Sequence, residues 1–475
     1  MSYISPYYGV VYLISSSFFV FFGSNFLSEK EEIYSGFSLL SLMLPAIMIF
    51  FIVKEKNKGT INNSNVWFFV AGTAFVLTAF LSKYVWVDLF WPELLRVDDP
   101  LAVQDANKYD LSGYMLLQYG HGLGHWQSFA IDRYVYLIYY IFGVDTVNVA
   151  LVNCLLRFLS VLVVLKIIYE CAGDIKNRDY VSLLFFLPLG LYYSLMPSKE
   201  VITILFFNIF VLYVIRCTKC FTFKNIVLLS VSLFFISLIR LNLGLFCLCA
   251  LSFILIFFLK KPSHKFGLVI IFFIAIVPFD FIARTTMNLS LLDIVSRYDG
   301  IMELSDRLDS TNASGISGKI KELSVSYGVF GYLIMLPLKL LVVYFSPYPL
   351  ISFDIFSAYD MAGSKGKDVV FLFYDFFATL SALVNVLFFG YIFNSFNYGV
   401  KVGNYSTKVF SILVLFVVAI ISFVYLSGFT RLRTLFEMLL FSMIFISGVK
   451  YKHAALMSFL LLSVAIFLNL FIILY

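Results

Sequence analysis

Apolar runs of about 20 residues, the length a helix needs to cross the hydrocarbon core of a bilayer, recur along this chain between short polar breaks. They fall near residues 7–27, 35–53, 66–84, 146–168, 180–196, 201–217, 226–241, 243–259, 266–283, 369–393, 409–427, 434–449 and 454–474. The pattern predicts an all-α polytopic integral membrane protein with about 12–14 transmembrane helices, forming a single transmembrane domain over 1–475. The bases set its orientation. Breaks holding Lys54/Lys56/Lys58, Lys176/Arg178, Arg216/Lys219/Lys224, Lys260/Lys261/Lys265, Lys401/Lys408 and Lys450/Lys452 share one side if the N-terminus lies there too. By the positive-inside rule that side, with the N-terminus, is the cytoplasm.

The same alternation places 85–145, 284–327 and 346–368 outside. Gly328–Phe345 is long enough to span, but a span there would carry Lys401 and Lys408 outside. It is therefore read as interfacial or re-entrant, within a second extracytoplasmic region over 284–368. Between Leu111 and Phe142, Tyr114, Trp126, Tyr134, Tyr136, Tyr139 and Tyr140 mix with polar residues, a pattern that suits helices at the headgroup level. Residues 85–145 are thus expected to form a first large extracytoplasmic loop with interfacial helices.

Composition agrees: 61% hydrophobic and 13% charged residues with a mean hydropathy of +0.94 exclude a soluble domain. The net charge of +6 comes from bases scattered between spans, not gathered in a patch, so no nucleic-acid partner is expected. The six cysteines lie in or beside apolar runs, which argues against a disulfide framework, and Cys217-Thr-Lys-Cys220 lacks the second pair a zinc site needs. The run starting near Tyr7 has no basic n-region and no small-residue cleavage site, so it reads as an uncleaved first span. No sharp internal repeat is visible, which weighs against an inverted-repeat transporter.

Candidate chemistry concentrates in the first long loop. Asp88, Glu93, Asp98, Asp99, Asp105 and Asp110 face only Arg96 and Lys108 there. Like charge at that density beside a bilayer reads either as a solvated outer loop or as a place that binds a divalent cation or handles protons. Pro100 biases Asp99 to an extended conformation, and Asp98 and Asp99 read as loop or ion-binding residues. Asp105 and Tyr109 are one helical turn apart and share a face. His121 and His125 have metal-ligand spacing, but Gly120, Gly122 and Gly124 break the helix that spacing requires, so no resident metal is assigned. They suit contacts to sugar hydroxyls with Trp126 stacked on a ring, or an ordinary interfacial loop. Lys199 and Arg240, at span ends on the outer face, suit a phosphate or pyrophosphate leaving group, or interfacial snorkelling with Glu200 beside Lys199.

Asp105/Tyr109, then Tyr136-Leu-Ile-Tyr-Tyr-Ile-Phe-Gly143, then Arg157 near the start of a span resemble the GT-C superfamily of membrane glycosyltransferases over about residues 66–260. The resemblance implies GT-C-like helical extracytoplasmic loops, Asp105 as the catalytic carboxylate, a polyprenyl-phosphate-linked sugar as donor, and no cofactor. Phe345-Ser-Pro347-Tyr-Pro349 and Phe429-Thr-Arg431-Leu-Arg433 are similar to features of bacterial O-antigen and capsule repeat-unit polymerases of the Wzy type. That likeness implies an undecaprenyl-linked saccharide held at its pyrophosphate by Arg431 and Arg433. It also implies a bacterial inner-membrane location, membrane lipids as partners and a chain-length regulator. Addition of a single sugar from a polyprenyl-phosphate donor stays open, since the Asp105 loop is more typical of that activity. A lipid-linked sugar transporter or flippase is the reading from another class, expected to carry mid-membrane ionisable residues or paired broken helices.

Overall fold

A computed structural model of the chain describes residues 40, 43–54, 68, 70–79, 104–122, 129–173, 178–258, 280, 284, 334, 336, 367–424, 429–447, 455–459 and 463. Among these the fold is helical, without a strand. The principal helices are α1 (Gln104–Tyr119), α2 (Phe129–Phe142), α3 (Thr146–Ala172), α4 (Pro188–Ser194), α5 (Lys199–Lys219) and α6 (Phe223–Ile239). They continue with α7 (Leu241–Phe258), α8 (Lys367–Lys401), α9 (Tyr405–Val424) and α10 (Phe429–Ser447). Among the described residues, Thr146–Ala172, Lys199–Lys219, Phe376–Lys401 and Tyr405–Ser422 are long and apolar enough to cross a membrane, which makes the chain a candidate multi-pass membrane protein.

Local sequence sets the helix ends. Gly143, at φ 92°, turns the chain out of α2, and Asp145 caps α3 by accepting from Val147 N at 2.8 Å. Thr222 caps α6 by accepting from Asn225 N at 3.3 Å. Arg240 alone, in extended conformation, separates α6 from α7.

The run at 180–196 departs from the expected single span. It forms a 3-10 helix over Arg178–Phe186 and then the short α4, broken at Leu187. Pro188 is the cause: it has no N–H to continue a helix and pushes the residue before it out of the helical region, to φ −59° and ψ 122° at Leu187. Apolar composition alone predicts a continuous helix there, and the proline interrupts it.

Contacts divide the chain into two compact units, with α3, α5 and α8 contributing to both. In the first unit α1 packs on α2 through Tyr109, Ile131, Val135, Ile138 and Tyr139, joined by Val149 of α3. Spaced at i, i+4, i+7 and i+8, the α2 residues form the stripe that burial selects, each apolar side chain contributing about 1.5–3 kcal/mol. Deeper in the unit, Phe75, Phe158 and Phe185 stack around the turn that carries Arg157. Arg157 is 1% exposed, and its Nη2 donates to Leu184 O at 2.9 Å, within the 3-10 segment ahead of the break.

Gly190 makes room for that guanidinium. A Cβ at position 190 would lie 2.3 Å from Arg157 Cζ. Gly190→Ala is therefore expected to lower thermal stability in detergent by about 1–3 kcal/mol. In Gly190→Ala/Arg157→Met the loss should be smaller than the two single losses added together. Strict additivity in that cycle would show that the close approach is not the cause.

In the second unit the ends of several helices meet. Lys219 Nζ at the end of α5 donates to the Glu170 carboxylate at 2.9 Å and to its carbonyl at 2.7 Å, and Arg216 Nε reaches the same carboxylate at 2.9 Å. Asn404 and Thr407 at the start of α9 donate to Cys171 O, and Tyr405 donates to Phe258 O at 2.6 Å. The C-terminal ends of α3, α5 and α7 thus gather with the start of α9, next to breaks whose bases the sequence puts on one side. Cys220, exposed in the break after α5, gives a test. In intact cells it is expected to resist an impermeant thiol reagent and to label after permeabilisation; labelling before permeabilisation would invert the orientation.

Candidate functional site

Asp105 occupies the first turn of α1, one turn before Tyr109. Its side chain lies outside the described residues, as do Asp98, Asp99, His125, Trp126 and the side chain of Arg431. Tyr109 is 5% exposed in the α1–α2 core, and Lys199 Nζ, at the start of α5, stands 5.9 Å from its ring centroid. That is cation–π range. Two residues singled out from distant parts of the sequence are thereby brought together. Beside Lys199, Glu200 is wholly buried.

The neighbouring Asp110 accepts a hydrogen bond from Tyr139 Oη, which ties α1 to α2. Asp110→Asn keeps an acceptor oxygen at that place, so it is expected to leave activity within about threefold and stability within about 1 kcal/mol. A loss as deep as that of an Asp105 variant would move the functional carboxylate to Asp110.

A second polar chain fixes the turn ahead of Lys199. Tyr134 Oη on α2 donates to Asn153 Oδ1 at 2.7 Å, and Asn153 Nδ2 donates to Met196 O at 2.8 Å. Burial, and secondarily the neighbouring Cys154, pushes the Tyr134 phenol above its ordinary range, so it remains a donor. Ser198 Oγ closes the same turn by donating to Tyr193 O at 3.0 Å. Asn153 carried a signal in the sequence, since an Asn in an apolar run is the usual sign of an interhelical hydrogen bond.

His121 lies past the end of α1, exposed, after Gly120 at φ 74°. Among the described residues no three His, Cys, Asp or Glu side chains come together as a metal set. Arg240 is half-buried at the α6–α7 junction, where its backbone N–H donates to Ile236 O.

Arg433, read from the sequence as a pyrophosphate ligand, lies in the second unit between α8 and α10. It is 0% exposed; its Nη2 donates to Ser381 Oγ at 3.0 Å, and its Nε stands 3.9 Å from Glu437 Oε1. Ser381 Oγ and Asn385 Nδ2 both donate to Glu437 Oε1, at 2.6 and 2.8 Å. The result is a buried network between α8 and α10, in which removing one charge strands the other. The spacing Arg433-x-x-x-Glu437 carried the signal, since i,i+4 pairs face each other on a helix. Compared with protein-family models, curated proteins and solved structures, the chain matches none.

Proposed function

We propose that the chain is a glycosyltransferase acting on undecaprenyl-linked sugars at the outer face of a bacterial inner membrane, most simply as a surface-polysaccharide repeat-unit polymerase. The observation that carries the proposal is the Lys199 ammonium over the Tyr109 ring, one helical turn from the position of Asp105. In the reaction, the acceptor hydroxyl oxygen attacks the anomeric carbon of the donor and Asp105 takes the hydroxyl proton. The bond from that carbon to the phosphate oxygen breaks, its electron pair leaves with the lipid phosphate or pyrophosphate, and Lys199 offsets the charge that develops. No nucleotide sugar is needed, because the lipid phosphate is already a good leaving group. Arg431 is assigned to the donor pyrophosphate, whereas Arg433 is committed to Ser381 and Glu437 in the packed interior.

The test is analysis of lipid-linked intermediates in a deletion strain. Loss of the gene should leave single undecaprenyl-linked repeat units and no polymer, and the intact chain should restore polymer. Repeat units each lacking one sugar would favour the single-sugar transferase. A lipid-linked sugar transporter is supported by the buried Arg433–Glu437 network and by the break at Leu187. It predicts instead full repeat units trapped on the inner leaflet.

A further inference from the structure

We infer that Asn153 is a positioning residue, holding the Lys199 ammonium against Tyr109 from a place in α3 that touches neither side chain's polar end. The contacts form a closed circuit within the first unit. Tyr109 packs in the same core as α2, and Tyr134 of α2 donates to Asn153. Asn153 in turn donates to Met196 O, in the turn that leads into Lys199, and Lys199 returns over Tyr109. Asn153 is 0% exposed and spends its amide oxygen on one partner and its amide nitrogen on the other. Through it α2, α3 and the 195–198 turn are joined by direct hydrogen bonds.

The amide suits that place. A buried carbonyl needs a donor and a buried phenol needs an acceptor, and the Asn153 amide supplies both from one side chain. A leucine would keep the volume and lose both the acceptor for Tyr134 and the donor to Met196 O. With that tie gone the turn is free to shift, and a displacement of about 1 Å at a reacting centre costs on the order of 10²-fold in rate. The catalytic consequence rests on the glycosyl-transfer reading; the placement of Lys199 does not.

The experiment reads the placement directly. The full-length chain in lipid nanodiscs is reductively methylated on its lysines with isotope-labelled formaldehyde, and the Lys199 methyl signal is assigned with Lys199→Arg. In the unaltered chain that signal is expected upfield of the other lysines, from the Tyr109 ring current. Tyr109→Leu should abolish the displacement. Asn153→Leu should abolish it too, with the helical content of the fold retained. Tyr134→Phe, which removes one hydroxyl and keeps the ring, should reduce it, and serves where Asn153→Leu does not fold. An undisplaced Lys199 signal in the unaltered chain, or a full displacement in Asn153→Leu or Tyr134→Phe, overturns the assignment. A displaced signal that collapses as expected in a chain without transferase activity leaves the placement standing and rejects the reaction, so the two failures are distinct.

Discussion

Asp105→Asn is expected to abolish product at normal protein levels, a loss of about 10²-fold or more. Asparagine keeps the shape of the carboxylate and cannot take the acceptor's proton. The effect should be confined to chemistry, because position 105 lies in the first turn of α1, ahead of the residues that build its core with α2. Thermal stability should accordingly change by less than about 1 kcal/mol. Polymer length and lipid-linked intermediates in a complemented deletion strain check it. Near-normal product would remove Asp105 as the base and with it most of the support for glycosyl transfer.

Lys199→Met should be the next most damaging change, with transfer reduced about 10²-fold. Methionine keeps the stem against the Tyr109 ring and removes the positive charge needed where the leaving group departs. Lys199→Arg should recover part of the loss, since it restores the charge with a planar fork in place of a point donor. The discriminating readout is donor dependence: a donor with a better leaving group should suffer less from Lys199→Met. Equal losses for both donors would place Lys199 in the packing of α5 and not at the phosphate.

Much of the helical layout was legible because lipid demands long apolar runs, so the helices at 146–172, 199–219, 223–239, 241–258 and 405–424 fall where hydropathy put them. The break at Leu187 was written in Pro188, but the surrounding apolar residues outweighed one proline in a reading built on average hydropathy. Helix α1 and its end at Gly120 followed from the Asp105/Tyr109 spacing and the glycines. What remained hidden is pairing between elements. Nothing local to Lys199 announces Tyr109, and nothing near Arg433 in sequence points to Ser381, 52 positions away. Arg433 reads in sequence as a pyrophosphate ligand beside Arg431 because an arginine near a helix end normally snorkels to the interface. Its burial depends on an acceptor supplied by α8 and on Glu437 one turn further along α10.

The central claim is that this chain transfers sugar from an undecaprenyl-linked donor with Asp105 as base. The most direct measurement is on purified full-length protein in nanodiscs, given a synthetic polyprenyl-pyrophosphate repeat unit and no nucleotide sugar. Release of polyprenyl pyrophosphate and growth of saccharide length are followed together. The account predicts that both appear in equal proportion with the unaltered chain and that both vanish with Asp105→Asn. Flipping of the lipid-linked saccharide across the bilayer with no change in its length would contradict the account.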